Sequence, residues 1–537
     1  MSDADPLFLG LDLSTQSLKA LAIDAGLGVV YETAVSFDDD LPDYGTEGGA
    51  HRHADGVTVT TPTRLWVEAL DLLLERMKAD GFAFGRVAAI SGSGQQHGSI
   101  YFAAGADRTL GSLDPARRLG EQLAEAFTLP DSPIWQDTST SAQCQALEAA
   151  MGGPQAVAQI TGSRAYERFT GNQIAKIAQT QAAAYEATER IALVSSFTAC
   201  LLSGGYAPID VSDGSGMNLM DIWRCDWHPE ALAATAPDLQ SKLGPIVRSH
   251  EGVGAISPYY VKRYGFDAGC RVLAFSGDNP NSLAGLRLQH AGDVAVSLGT
   301  SDTLFAALRK PTPLADEGHI FRSPVDPDGF MAMVVRKNGS LTREAVRDRA
   351  AGGTWESFAD ALAATPPGND GRIGFYFDEP EITPRTAAAG VRRFAADDAA
   401  VESFPPAAEV RAVVESGFVA MRRHGQAIGI RPASVLATGG ASQNAAILQV
   451  IADVFGVDVH VAAQKDSAAL GAAYRARHGW QCEQQKRFVP YAEAMAKAPP
   501  FRKAATPERN AHGTYNRLAD RYQRLEQQVS MQLNQKE

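Results

Sequence analysis

The chain has 537 residues, 45% hydrophobic and 21% charged, which is enough apolar material for several cores and shows no compositional mark of disorder. Its net charge of −13 excludes a general nucleic-acid binder, which would carry a basic face, but not a nucleotide held by a local cluster of donors. Five scattered cysteines with no Cys-x-x-Cys disfavour a zinc site or disulfide framework, and neither a secretory leader nor a bilayer-length apolar run is visible, so a cytoplasmic protein is expected.

Leu7, Leu9, Leu11 and Leu13 alternate and predict a first strand. Ser14–Ser17 reads as a turn, Leu18–Ile23 as the returning strand, and Val29 opens a third, completing a meander. Residues 37–62 are rich in Asp, Gly, His and Thr without periodicity, an excursion with no assigned role. Residues 63–80 have a helical pattern with Leu65, Leu70, Leu73, Leu74 and Met77 inward. The strand Val87–Ile90 runs into Ser91-Gly92-Ser93-Gly94, and alternation of strands and helices continues to about residue 285, an α/β pattern. A second series starts near residue 292, where Val294, Val296 and Leu298 lead into Gly299-Thr300-Ser301-Asp302. Residues 9–15 can be laid over 294–300, and 87–95 over 435–443, in the same order, which predicts two domains of related topology. The expected boundaries are 1–288, 289–478 and a C-terminal extension, 479–537. In that extension the spacing of Tyr515, Leu518, Tyr522, Leu525 and Val529 predicts a helix, packed on its own domain or serving as a dimer helix.

Four segments carry chemistry. Asp12-Leu13-Ser14-Thr15-Gln16-Ser17 offers a carboxylate for hydrated magnesium and hydroxyls and amides for phosphate, yet an ordinary hairpin uses the same residues. Gly92-Ser93-Gly94-Gln95-Gln96-His97-Gly98 fails as a dinucleotide fingerprint because His97 stands where the last glycine belongs. It does place Gln96 and His97 at a strand end, either to bind a ligand or to serve the fold. Ser276-Gly277-Asp278-Asn279 delivers a carboxylate that is equally a proton acceptor for a kinase or a helix cap. Ala437–Asn444 contains paired glycines before a helix, suited to an approaching anion or to a close strand–helix turn. The pattern Gly-x4-Gly-Lys-Ser/Thr is absent, so a P-loop kinase is excluded.

These segments, in this order, resemble the FGGY family of carbohydrate kinases. Gly94–Tyr101, Gly162–Gln173, Asp213–Leu219, Ser297–Leu304 and Lys337–Leu341 resemble its longer, eukaryotic-type branch acting on xylulose, and the similarity spans about residues 8–480. The resemblance implies an α/β protein of two actin-like (ribonuclease H-like) domains with a cleft between them and the sugar on the N-terminal side. It implies transfer of phosphoryl from ATP, with Mg2+, to D-xylulose, giving D-xylulose 5-phosphate. A kinase of another ketose or polyol is the alternative, and a non-catalytic actin-like ATP-binding protein is disfavoured by the sugar-matched polar groups. The resemblance further implies that Asp278 is the base and, with His97, Arg168 and Asn279, a sugar contact. Trp355 would lie beside adenine, with Gly440, Ala441 and Asn444 on the nucleotide, Thr15 and Thr300 at phosphates and Asp12 at the metal. Many members carry an arginine soon after Trp-x-Asp, whereas this chain has Trp135-Gln136-Asp137-Thr138-Ser139-Thr140, so the contacts near Asp137 stay open, as does the choice between monomer and homodimer.

Overall fold

A computed structural model describes residues 5–462 and 466–535. The chain folds into two compact units. The first holds Met1–Gln289, Phe321–Gly329 and Asp466–Pro499, and the second His290–Ile320, Phe330–Lys465 and Pro500–Glu537.

In the first unit the strand Leu7–Leu13 is buried at every position, because it is covered on both faces. Leu7, Leu9, Leu11 and Leu13 join the core formed with Leu65, Leu70, Leu73, Leu74 and Met77 of the helix Thr63–Ala79. The opposite face, Phe8 and Gly10, meets the helix Ser467–Gln485. Phe8 packs edge-on to Trp480 at 5.4 Å, and a Cβ at Gly10 would lie 2.3 Å from the Ala469 carbonyl oxygen. The meander Leu7–Leu13, Ser17–Ile23, Val29–Ser36 is antiparallel. On its other side Leu7–Leu13 pairs in parallel with Val87–Gly94, which pairs in parallel with Arg271–Leu273.

The second unit repeats this order. Asp293–Leu298, Asp302–Leu308 and Phe330–Arg336 form the meander, and Ser434–Thr438 and Val459–Val461 add in parallel. Cross-strand register corrects one sequence overlay. Asp12 faces Ser93 and Ser297 faces Thr438, so with Asp12 laid on Ser297, Ser93 corresponds to Thr438 rather than Ala441. The second strand stops earlier because Gly439 turns the chain with φ +82°, its Cβ position only 2.5 Å from the Leu298 carbonyl oxygen.

The units also divide differently from the boundaries expected at 289–478 and 479–537. The helix Ser467–Gln485 lies in the first unit, pressed onto the helix Asp278–Gly285 through glycines: a Cβ at Gly471 would be 1.8 Å from the Asn281 carbonyl oxygen, and one at Gly285 2.0 Å from that of Ser467. The terminal helix Arg509–Asn534 lies in the second unit, with Tyr515, Tyr522, Leu525 and Val529 buried there. Periodicity announces an apolar face but not which core receives it.

The excursion at 37–62 is ordered by its polar residues. Asp38 accepts from Thr46 Oγ1 at 2.6 Å and from the backbone of Gly48 at 2.6 Å and Gly49 at 3.1 Å. This loop closes on the 14–17 turn: the Phe37 amide donates to the Gln16 carbonyl at 2.9 Å, and a Cβ at Gly49 would lie 1.9 Å from the Thr15 carbonyl oxygen. The strand Val59–Pro62 then pairs with Asp131–Pro133.

Candidate active site

Three strand ends of the first unit converge on one acidic centre. Asp12 lies near the end of its strand opposite Ser93, and the short strand Ser276–Gly277 pairs with Ser93 and Gly94 before releasing Asp278 as the first residue of a helix. That helix is N-capped by Gly277 without a side-chain bond, so the cap role open to Asp278 in the sequence is not the one it takes. Its carboxylate instead accepts from the Asn279 backbone at 2.8 Å and from Asn279 Nδ2 at 3.0 Å. Burial, and then the negative charge of Asp12, pushes the Asp278 carboxyl up to about 7. Asp12 is itself 5% exposed, with Oδ1 lacking a hydrogen-bond partner. Burial raises its pKa, and the charge of Lys19, paired with Asp466 at 2.6 Å, opposes that rise. An acid kept basic in this way is suited to receive a proton from a hydroxyl near neutral pH.

Gln96 is buried beside this centre and accepts from Asn279 Nδ2 at 2.7 Å. His97 takes φ +72°, stacks on Phe169 at 4.3 Å between centroids, and sets Nδ1 3.0 Å from the Gly216 carbonyl oxygen. A carbonyl can only accept, so Nδ1 carries a proton and donates it to Gly216. The Arg168 guanidinium lies 6.0 Å from the Trp135 ring centroid, and burial lowers its pKa. Trp135 Nε1 in turn donates to Thr15 Oγ1 at 2.8 Å.

The Asp137 carboxylate is occupied internally. It accepts from the Val59 amide at 3.0 Å, the Ser139 amide at 2.9 Å, Ser139 Oγ at 2.5 Å and Gln173 Nε2 at 2.8 Å, so it braces the loop that carries Trp135. Sequence reasoning gave no role to Asp210, or to Asp213 although it opens one of the resembling segments. Asp210 accepts from Ser276 Oγ at 2.6 Å and caps the turn that follows it, and Asp213 is buried beside Gly277. The available signal was the pair Asp210-Val211-Ser212-Asp213, which by itself reads as a helix cap.

The second unit holds a cavity of about 660 Å³, within the range of small-ligand sites. Thr300, Trp355, Gly440, Ala441 and Asn444 all line it, which brings the residues of that unit proposed for nucleotide together. Gly440 opens to it: a Cβ there would meet nothing within 4 Å. Asn444 Oδ1 caps the helix Ala445–Phe455, accepting from the amides of Ala446 at 3.0 Å and Ile447 at 3.1 Å. The Trp355 ring has the Arg347 guanidinium 4.9 Å from its centroid and Phe358 edge-on at 5.2 Å. Asp302, next to the Thr300 turn, is buried in a two-pronged ion pair with Arg343 and is structural. Among the described residues no cluster of three or more acid, His or Cys side chains is placed to hold a metal. The partnerless Oδ1 of Asp12 is the feature that suits a divalent cation.

Residues 128–285 match the N-terminal domain of the FGGY family of carbohydrate kinases, and residues 294–480 match its C-terminal domain. Xylulose kinase of Rattus norvegicus is 54% identical over 524 residues, covering 97% of this chain and 96% of that one. Among solved structures, xylulose kinase from Lactobacillus acidophilus superposes with a TM-score of 0.80 at 18% identity, covering 99% of both chains. Gluconate kinase from the same organism reaches 0.81 at 17%, covering 99% of this chain and all of its own, so the fold alone does not select a sugar. With both family domains matched and more than half of the residues shared with a relative along nearly the whole length of each, the chain belongs to the FGGY family of carbohydrate kinases.

Proposed function

We propose that this protein transfers the γ-phosphoryl group of ATP to D-xylulose, giving D-xylulose 5-phosphate and ADP. The observation that carries the reading is Asp278, a strand-end carboxylate raised to about 7 beside Asn279 and Gln96, in a chain 54% identical to a xylulose kinase. The C5 hydroxyl oxygen of the sugar attacks the γ-phosphorus, its proton passes to Asp278, and the bond from that phosphorus to the bridging oxygen of ADP breaks. Such a transfer needs little covalent help, so orientation and charge placement dominate. His97 accepts from a sugar hydroxyl through Nε2, Asn279, whose amide hydrogens go to Gln96 and Asp278, accepts from a second through Oδ1, and Arg168 supplies fixed donors with its position set by Trp135. In the second unit, Trp355 stacks on adenine, the Gly440–Ala441 backbone and Asn444 approach the nucleotide, and Thr300 faces phosphate, as Thr15 does in the first unit. Asp12 would hold Mg2+, which when bound neutralises phosphate charge.

The scattered cysteines with no Cys-x-x-Cys pair fit a reducing, cytoplasmic setting, and the protein acts as a monomer or homodimer. ADP release measured over a panel of pentuloses, hexuloses and polyols with ATP and magnesium tests the substrate. D-xylulose should give the highest kcat/KM. A higher value with another ketose or a polyol replaces the sugar, and sugar-independent ATP hydrolysis at the same rate removes the kinase reading.

A further inference from the structure

Asp213 is 3% exposed, and among the described residues no lysine or arginine forms an ion pair with it. One carboxylate oxygen accepts from Ser195 Oγ at 2.5 Å. The turn that contains Asp213 is already capped by Asp210, which accepts from the amides of Ser212 at 3.0 Å and Asp213 at 3.1 Å, so the turn does not need the Asp213 side chain. A buried, unpaired acid is costly, and one that the local fold does not require has a role elsewhere.

Its other oxygen points to that role. A Cβ at Gly277 would lie 2.8 Å from Asp213 Oδ1 and 2.3 Å from Gln96 Cγ, so glycine at 277 lets both side chains close over the backbone that delivers Asp278. Gln96 Oε1 accepts from Asn279 Nδ2, and the same Nδ2 donates to Asp278 Oδ1. Gln96 Nε2 is enclosed with no partner in good hydrogen-bond geometry, while the neighbouring Gln96 amide favours the ionised form of Asp213. An amide whose oxygen is fixed and whose nitrogen is enclosed needs an acceptor, and Asp213 is the acid beside it.

We propose that Asp213 is a positioning residue for phosphoryl transfer: it takes the Gln96 amide nitrogen, which holds Gln96 Oε1 on Asn279 and so locks the Asn279 amide against one oxygen of Asp278, leaving the other for the sugar hydroxyl. This rests on the proposed role of Asp278 as base. The chain is Asp213 to Gln96 to Asn279 to Asp278, four side chains fixed by two strand ends and one turn. Its output is the orientation of a carboxylate, to which rates are sensitive at the level of an ångström.

Steady-state kinetics of Asp213→Ala, Asp213→Asn, Gln96→Ala and the double Asp213→Ala/Gln96→Ala variant test it. Wild-type turnover of D-xylulose in the same assay tests the parent reading separately. Asp213→Ala should lose about tenfold to hundredfold in kcat with KM for ATP unchanged. Asp213→Asn, which keeps an acceptor oxygen, should stay within threefold of wild type. Gln96→Ala should match Asp213→Ala, and the double variant should be no worse than either, since all break one chain. A kcat for Asp213→Ala within threefold of wild type overturns the proposal, as do multiplicative losses in the double variant or an Asp213→Asn as impaired as Asp213→Ala. Should Asp213→Ala not fold, Gln96→Ala decides alone: a kcat within threefold of wild type overturns the proposal, and a tenfold loss with unchanged KM for ATP supports it.

Discussion

Replacing Asp278 with asparagine should abolish most turnover and yet stabilise the protein, by an amount that grows with pH. In the folded chain the carboxyl titrates at about 7 instead of its ordinary 3.8. The native state therefore holds this proton more tightly than the unfolded state. The stability contributed by the protonated form is fully present below about pH 4 and is lost as pH rises through about 7. A gap of about 3 on the pH scale corresponds to about 4 kcal/mol, and because the side chain is partly open to solvent, about 2 kcal/mol is the working figure. Asparagine keeps an oxygen for the Asn279 amide and carries no charge beside Asp12, so the variant escapes the loss. Denaturation of ligand-free wild type and variant at pH 4.5, 6 and 8 should show a gain for the variant that rises from about 0.5 kcal/mol at the lowest pH to about 2 kcal/mol at the highest, with kcat lower by about a hundredfold or more. A variant no more stable than wild type at pH 8, or a gain identical at all three values, would refute the assignment of the raised pKa to a cramped carboxylate.

Further outcomes follow from the same geometry. His97→Ala removes one neutral hydrogen bond to the sugar and should raise KM for D-xylulose about tenfold with KM for ATP unchanged, read from initial rates. Trp355→Ala should weaken ATP by about 1–3 kcal/mol, measured by calorimetric titration, while KM for the sugar holds, because the indole lines the second-unit cavity. Gly49→Ala, at φ +77° with its Cβ position 1.9 Å from the Thr15 carbonyl oxygen, should cost about 1–3 kcal/mol in denaturant melts and raise KM for ATP by displacing the Thr15 turn.

Much of this was legible in the sequence, for identifiable reasons. The two meanders announce themselves because each opening strand alternates apolar residues into a turn, and the helix at Thr63–Ala79 because its leucines recur at helical spacing. Gln96, His97, Asp278 and Asn279 could be named as candidates because parallel strands end together, so polar residues just past those ends share a place. What stayed hidden depended on which segments meet far along the chain. Asp137 looks like a site residue until Gln173 and Val59 are seen to consume its carboxylate. The register of Ser434–Thr438 was misread because Gly94 and Gly439–Gly440 offer similar letters at strands of different length. The destinations of the helices Ser467–Gln485 and Arg509–Asn534 are set by close glycine contacts and by cores that periodicity does not identify.

The distribution of charge in the first unit separates a working centre from a structural ion network. Its fully buried arginine, Arg475, is committed: it donates to Asn281 Oδ1 at 3.0 Å, to the carbonyls of Ser249 at 2.9 Å and Ala274 at 3.0 Å, and sits 3.5 Å from Asp210. Lys19 is held by Asp466. Asp12, Asp213 and Asp278 therefore stand without an ion-pair partner among the described residues, and burial raises the pKa of each. In a network built for stability, Arg475 would sit among these acids, since an unpaired buried carboxylate costs several kcal/mol. Here the cation is held away, on the acid that fixes a turn, and the strand ends carry uncompensated negative charge next to a proton acceptor. Folding tolerates that arrangement because the glycine-mediated packing of Asp278–Gly285 on Ser467–Gln485 holds the strand ends in place regardless. The charge it leaves unmet is what a polyvalent cation and a hydroxyl proton would satisfy, and this is the physical sense in which the first unit is incomplete until substrates arrive.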